Sequence, residues 1–417
     1  MNYDPIPFAE AMSIILKSTE NISIDEEVIP LSCGCGRLLT RNIISSISHP
    51  PCNVSSMDGY AFRHADLQRT DKFYVHPESA KAGSNIIKSP LNEGYTIQIF
   101  TGAPMPTDAD TVVAYEDVLN INDSTIIIPD MKYKLGMYVR PEGMDFRSGD
   151  PILNAGRILS PEDIALIAAM GISFITVKRK LGITVISTGD EIIMPGISGN
   201  KENIDIFASS NIALLAMLND NKSRASMSPV IPDCLDNVIH AINAASISSD
   251  IVITIGGAGC GKHDLIESAV TKLGGNFLIR GVLMRPGKPF SLAQVGKSLV
   301  VCLPGNPVSS ILCTRIMVQP LIRSLLRFPL YKQQPHLMKL TSSLAKNSER
   351  THFMRGRTHS TNSTTYNNII HKVTPCPKQD SIALAELAMS NALIVREPFD
   401  PSKKIDDVVS VYYINDL

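Results

Sequence analysis

Residues 250–264, Asp-Ile-Val-Ile-Thr-Ile-Gly-Gly-Ala-Gly-Cys-Gly-Lys-His-Asp, run from a β-branched stretch through a glycine-dense turn to a carboxylate. Glycines let backbone N–H groups come close to an anion, and the helix start that follows adds partial positive charge. Gly256-x-x-x-x-Gly261-Lys262 matches a phosphate-cradling Walker loop up to His263, which stands where a Ser or Thr would hold Mg²⁺. Gly257-x-Gly259-x-Gly261 is not the dinucleotide fingerprint either. Two readings stay open: an anion-binding turn with Asp264 as a cation ligand, or a merely tight strand-to-helix turn.

Other segments carry related chemistry. Ser187-Thr-Gly-Asp-Glu191 places two carboxylates directly after a buried strand, which suits a divalent metal, proton transfer or a solvated turn. Leu299 to Ser309 repeats the plan, with a strand, a rigid turn at Pro304–Pro307, then a helix start. Arg140-Pro-Glu-Gly-Met-Asp145 and Arg285-Pro-Gly-Lys288 set basic residues on stiff turns, where Arg can fork onto an oxyanion. Ser55–Tyr60 and Thr101–Pro106 read as ordinary turns on physics alone. His263 reads as a loop-packing residue and Cys260 as a small, turn-compatible side chain.

These turns need strands and helices to hold them. Apolar spacing predicts an amphipathic helix over Pro5–Thr19. From about Asn42 to Asp150, short apolar runs at Tyr95–Phe100, Thr111–Ala114 and Ser124–Ile128 predict a small β-rich domain. Ser160-Pro-Glu-Asp163 has the form of a capping box opening a helix that Gly171 ends. From Lys180, strands at Leu181–Ser187, Ile251–Ile255 and Val300–Leu303 alternate with helices at Asn211–Leu218, Asp233–Ala245, Leu265–Leu273 and Val308 to about Leu326. That alternation implies a mainly parallel sheet covered on both faces, with ligands at the strand C-termini. After Pro329–Pro335 the texture turns polar and strand-like, as for a small β-barrel or sandwich.

At 417 residues the chain exceeds one ordinary core. Its 44% hydrophobic and 19% charged residues are those of a soluble globular protein, and a net charge of -1 gives no nucleic-acid or membrane signature. No apolar run approaches the roughly 18 residues that span a bilayer, and no signal peptide is expected from the opening residues. Eight cysteines without a Cys-x-x-Cys pair point to free thiols in a reducing cytoplasm.

Taken in order, the segments SSMDGYAF, TGAPMPTDADTVV, VRPEGMDFRSGD, STGDEI, GGAGCGKHD, RPGKPF, LPGNPVS and a late QDS resemble the molybdopterin molybdenumtransferases, the MoeA-type enzymes that include the C-terminal part of gephyrin. The likeness spans Ser55 to Ser381. It implies a multidomain α/β protein: an elongated linker domain (1–48 and 146–179), a β-rich inserted domain (49–145), a three-layer α/β molybdopterin-binding domain (180–328) and a C-terminal β-barrel (329–417). It also implies a cytoplasmic homodimer with a shared site. The substrates would be adenylylated molybdopterin and molybdate, the products AMP and molybdenum cofactor, and a divalent cation such as Mg²⁺ would assist. The molybdopterin adenylyltransferase and apo-molybdoenzymes are implied partners.

Residue by residue, the resemblance places Glu191, Asp233 and Asp264 on the metal and adenylate side, with Glu191 and Asp264 as metal ligands. Asp58 and Thr101 would come from the partner subunit, and Arg140 and Asp145 would face the same cleft. Gly256, Gly257, Gly259 and Lys262 would hold phosphate, Arg285 and Lys288 would neutralise oxyanions, and Pro304 and Pro307 would shape the pterin wall. Arg355 and Ser381 would sit near the mouth. Gly259 departs from the family pattern, which has Ser there. A lost hydroxyl contact costs about 1–3 kcal/mol, and Lys262 could offset it. The rival reading is a catalytically impaired cofactor-binding or scaffold protein of the same fold; a nucleotide hydrolase lacks its Mg²⁺ hydroxyl.

Overall fold

The computed structural model describes residues 4–122, 124–129, 132–196, 205–256, 265–329, 334–362 and 369–416. It divides into two compact units, one of residues 28–35 and 39–177, the other of residues 1–27, 36–38 and 178–417. The N-terminal helix α1 (Phe8–Ser18) belongs to the second unit and buries Ala11 and Ile15. Thr19, just beyond it, shares a buried 2.6 Å hydroxyl contact with Ser324.

The smaller unit is built on β1 (Val54–Ser55), β2 (Gly59–Phe62), β3 (Lys72–Ala80), β4 (Tyr95–Ile99), β5 (Thr111–Ala114), β6 (Leu119–Asn122), β7 (Thr125–Ile127) and β8 (Val139–Arg140). Six of them form one sheet in the order β5-β2-β4-β3-β7-β6, and β8 pairs with β1. Phe62 and Phe73 meet edge-to-face inside a cluster with Val113, Ile126 and Ile128. The expected capping box is present: Ser160 accepts from Asp163 N–H, Asp163 accepts from Ser160 N–H, and helix α2 (Pro161–Ala169) follows.

The larger unit holds the strand–helix alternation: β9 (Leu181–Ser187), α3 (Ser209–Leu218), β10 (Ser223–Met227), α4 (Leu235–Ser248), β11 (Ile251–Ile255), α5 (Leu265–Lys272), β12 (Asn276–Arg280), β13 (Val282–Arg285), β14 (Ser291–Val295), β15 (Ser298–Leu303), α6 (Pro307–Cys313) and α7 (Gln319–Leu325). The sheet order is β10-β9-β11-β15-β14-β12. Its first four strands pair in parallel, and β14 pairs antiparallel with both β15 and β12. Ile186, Val252, Val300 and Cys302 meet α4 and α5 on one face. Ser187, one residue on, points to the other face, where α3 meets it. A π-helical segment, Thr314–Val318, joins α6 to α7. Pro320, which offers no N–H and crowds the preceding turn, is accommodated just after that widened turn.

The chain then forms β16 (His336–Leu340), β17 (Thr351–Asn362), β18 (Ile369–Pro375), α8 (Leu384–Ala388), β19 (Ala392–Arg396) and β20 (Val408–Tyr413). Pairings β17-β18-β16-β20-β19, closed by β19 with β17, make a five-stranded barrel. Closure removes free strand edges, and Met338, Val373, Ile394 and Val411 fill the interior. Among the described residues no helix is long and apolar enough to cross a membrane.

Candidate functional site

Three parallel strands of the larger unit end in one row, since Ser187 is paired with Ile255 and Ile255 with Leu303. The turns that follow are drawn together by backbone bonds: Thr188 N–H donates to Ile255 O and Gly256 N–H to Leu303 O, both at 3.3 Å. Gly256 has φ 89°, and a Cβ there would stand 3.0 Å from the Thr188 carbonyl oxygen. A Cβ on Gly305 would lie 3.6 Å from Gly256 Cα. Gly256 therefore lets the three turns meet, while its own N–H is already engaged. Gly257, Gly259, Lys262 and Asp264 lie outside the described residues.

The acidic turn packs against the segment leading into α4. Asp190 Oδ1 accepts from Asp233 N–H at 3.2 Å. Burial, then the nearby charges of Asp190 and Glu191, raise the Asp233 carboxyl above its ordinary value. Gly189 has φ 143°, and a Cβ there would stand 2.7 Å from Glu191 Oε2. Glu191 and Asp233 are thus brought together, and Asp190 joins them. The sequence offers Asp190 and Glu191 together as an acid pair suited to a metal or proton transfer, and the family resemblance assigns a place to Glu191 alone. Among the described residues no three His, Cys, Asp or Glu side chains form a group that could hold a metal.

Pro304 follows β15 and Pro307 takes the first position of α6 after Asn306. Val308 N–H donates to Ser381 O at 3.1 Å, which fastens Ser381 to that turn. Arg355 is only 2% exposed. Its guanidinium donates to Asp380 O twice at 3.0 Å and to Lys378 O at 2.9 Å, so it clamps the loop that carries Ser381. Arg285 and Lys288 are exposed. Arg285 lies in register with His352 of β17. Burial, then Arg285 and three further arginines, pull His352 down to about 4, so its ring is neutral and the positive charge belongs to the arginines.

The smaller unit holds the remaining candidates. Asp58 Oδ1 accepts from Thr101 N–H and hydroxyl, and those bonds hold its carboxyl below the ordinary value. Gly59, next to it, leaves no room for a side chain against the Val113 carbonyl. Arg140 and Asp145 line a cavity of about 710 Å³ with His49, Cys52 and Met144, which reaches Gly102 beside Thr101. Burial, then Glu142, raise the Cys52 thiol.

Relatives match this arrangement over most of its length. A molybdopterin molybdenumtransferase of Haemophilus influenzae is 31% identical over 336 residues, 79% of this chain and 80% of that one. The chain belongs to the molybdopterin molybdenumtransferase family. The description "MoeA N-terminal region (domain I and II)" matches residues 6–171, "Probable molybdopterin binding domain" residues 184–324, and "MoeA C-terminal region (domain IV)" residues 338–411. A family member of Nostoc sp. is 30% identical, covering 78% of this chain and 75% of that one. The crystal structure of a molybdopterin biosynthesis MoeA protein from Pyrococcus horikosii superposes with TM-score 0.80 at 26% identity over 99% of both chains. The family's probable molybdopterin-binding match contains the three converging turns, the acidic group and Pro304–Pro307.

Proposed function

We propose that this chain inserts molybdenum from molybdate into adenylylated molybdopterin and releases AMP. The observation that carries the reading is the row Ser187–Ile255–Leu303, whose turns set carboxylates beside glycine-built backbone. Such a row opens at the carboxyl edge of a parallel sheet, where α/β folds bind ligands. Relatives that cover more than three quarters of this chain are named molybdopterin molybdenumtransferases, which favours the enzyme over a scaffold.

The donor chemistry fits a divalent cation. Carboxylates are hard oxygen donors of the kind Mg²⁺ takes, and the described ones, Asp190, Glu191 and Asp233, do not complete a three-ligand group by themselves. Burial first, and then the charges of Asp190 and Glu191, raise the Asp233 carboxyl, and a cation would relieve the second of these. Glu191 and Asp264 would hold it, with Asp233 beside them. Bound Mg²⁺ supplies positive charge to a phosphoanhydride that the carboxylates alone would repel. Arg285 and Lys288 would neutralise oxyanions, Pro304 and Pro307 wall the pterin, and Ser381 sit at the mouth.

Asp58 and Thr101, with Arg140 and Asp145, would act from the partner of a homodimer, on the four-domain plan of residues 1–48 with 146–179, 49–145, 180–328 and 329–417. The test is AMP release from adenylylated molybdopterin with and without molybdate and Mg²⁺, in wild type and Glu191→Gln. Release that needs molybdate and drops at least tenfold in the variant supports the assignment. A wild-type chain that binds the substrate without releasing AMP would refute it.

A further inference from the structure

Beneath the acidic turn lies a polar contact that the assignment above does not use. Asn211 stands in the first turn of α3 and is 1% exposed. Its Oδ1 accepts from Ser187 Oγ at 2.6 Å. Ser187 is the last residue of β9, directly ahead of the turn that carries Glu191. The bond orients the amide and leaves Nδ2 a buried donor with no hydrogen-bond partner among the described residues. Turning the amide over would only exchange which of its two polar atoms goes unpaired. A buried unpaired donor is costly, and one kept in a native structure calls for an explanation, such as a catalytic role or a bound partner.

A second observation points the same way. The ten-residue helix α3 follows Ala208, which has no side chain able to cap it, so no N-cap side chain occupies the N–H groups of its first turn. Ser310 of α6 donates to Ser210 at 3.0 Å, tying this turn to the helix that follows Pro304–Pro307. Both helices therefore begin at the edge where the three strands end.

We propose that Asn211 Nδ2, oriented by Ser187, donates a hydrogen bond to an oxygen of the pterin substrate, either a ring carbonyl or a phosphate oxygen, and so determines specificity. This rests on the molybdopterin reading above. The experiment compares wild type with Asn211→Asp, which keeps the acceptor for Ser187, and with Asn211→Leu, which removes both polar atoms without adding charge. Calorimetry would use adenylylated molybdopterin, a phosphate-free pterin and AMP, with melting temperature and steady-state kinetics alongside. The expected result is at least tenfold weaker binding of adenylylated molybdopterin to both variants, with KM raised more than kcat is lowered. Loss that extends to the phosphate-free pterin identifies the ring carbonyl; loss confined to phosphate-bearing ligands identifies the phosphate.

Loss in the Asp variant alone would trace to charge and overturn the proposal. Should either variant fail to fold, a crystal structure of the wild type with bound adenylylated molybdopterin reads the contact directly. A ligand oxygen in hydrogen-bond reach of Nδ2 supports it, and a protein group in that place sinks it. Turnover in wild type with unaffected variants removes this contact alone, whereas a wild type that binds none of the pterins removes the functional reading as well.

Discussion

Thr101 gives both of its donors to one oxygen of Asp58, its N–H at 2.7 Å and its hydroxyl at 2.9 Å. Hydrogen bonds to the charged form favour that form, so the exposed Asp58 carboxyl ionises below its ordinary value. A depressed carboxyl contributes stability that is fully present above the unfolded value, about 3.9, and is lost as pH falls through the lower folded one. Thr101→Val keeps the backbone bond and removes the hydroxyl bond. The expected outcome is an Asp58 carboxyl shifted back toward its ordinary value in an NMR titration, with activity failing at a higher pH on the acid side. An unmoved titration would take the hydroxyl out of this account.

Gly189 and Glu191 form a second dependence. A methyl group at 189 would press on the Glu191 carboxylate in a backbone conformation, φ 143°, that L side chains rarely adopt. Gly189→Ala should therefore cost roughly 1–3 kcal/mol of stability and displace Glu191. AMP release should drop at least tenfold, and denaturant titration should give the stability change. Wild-type turnover in this variant would show that the turn tolerates a shifted Glu191.

Crowded acids predict a response to cations. Burial raises the Asp233 carboxyl most, and the charges of Asp190 and Glu191 add to it, so the folded state carries some repulsion at neutral pH that a divalent ion would offset. Mg²⁺ should raise the melting temperature of wild type. Asp190→Asn should raise it without Mg²⁺ and shrink the Mg²⁺ effect. Scanning calorimetry at fixed ionic strength separates this from general screening, and equal Mg²⁺ effects in both proteins would contradict it.

Much of this was legible in residue order. The β-branched runs at Leu181–Ser187 and Ile251–Ile255 form strands with those bounds, because period-free apolar runs suit buried parallel strands. The capping box at Ser160 is also present as read. What could not be read was long-range. The antiparallel pairings of β14 with β15 and β12 follow from pairing partners, not from local pattern, and β10 (Ser223–Met227) is too polar to announce itself. Asp58 and Thr101 looked like ordinary turn residues, since their link spans 43 positions. Asn211 resembled any polar residue at a helix start until Ser187 was found bonded to it.

Arg355 illustrates the same gap from the opposite side. A basic residue at a family position suggests an anion ligand, and here three donations of its guanidinium go to the carbonyls of Lys378 and Asp380. Gln379 closes the clamp, accepting from Arg355 N–H at 3.0 Å and donating to Arg355 O at 2.9 Å. Arg355→Met keeps an apolar stem but strands these carbonyls, and hydrogen bonds from a charged group are each worth about 1.5–3 kcal/mol. The variant should unfold about 3 kcal/mol more easily, and trypsin should cut faster after the exposed Lys378. Arg355→Lys retains the charge without the planar fork and should fall between the two. Because Val308 N–H holds Ser381 O, loosening of this loop should raise the KM for molybdate in step with the cleavage rate. A raised KM with wild-type resistance to trypsin would instead show Arg355 acting on the anion directly.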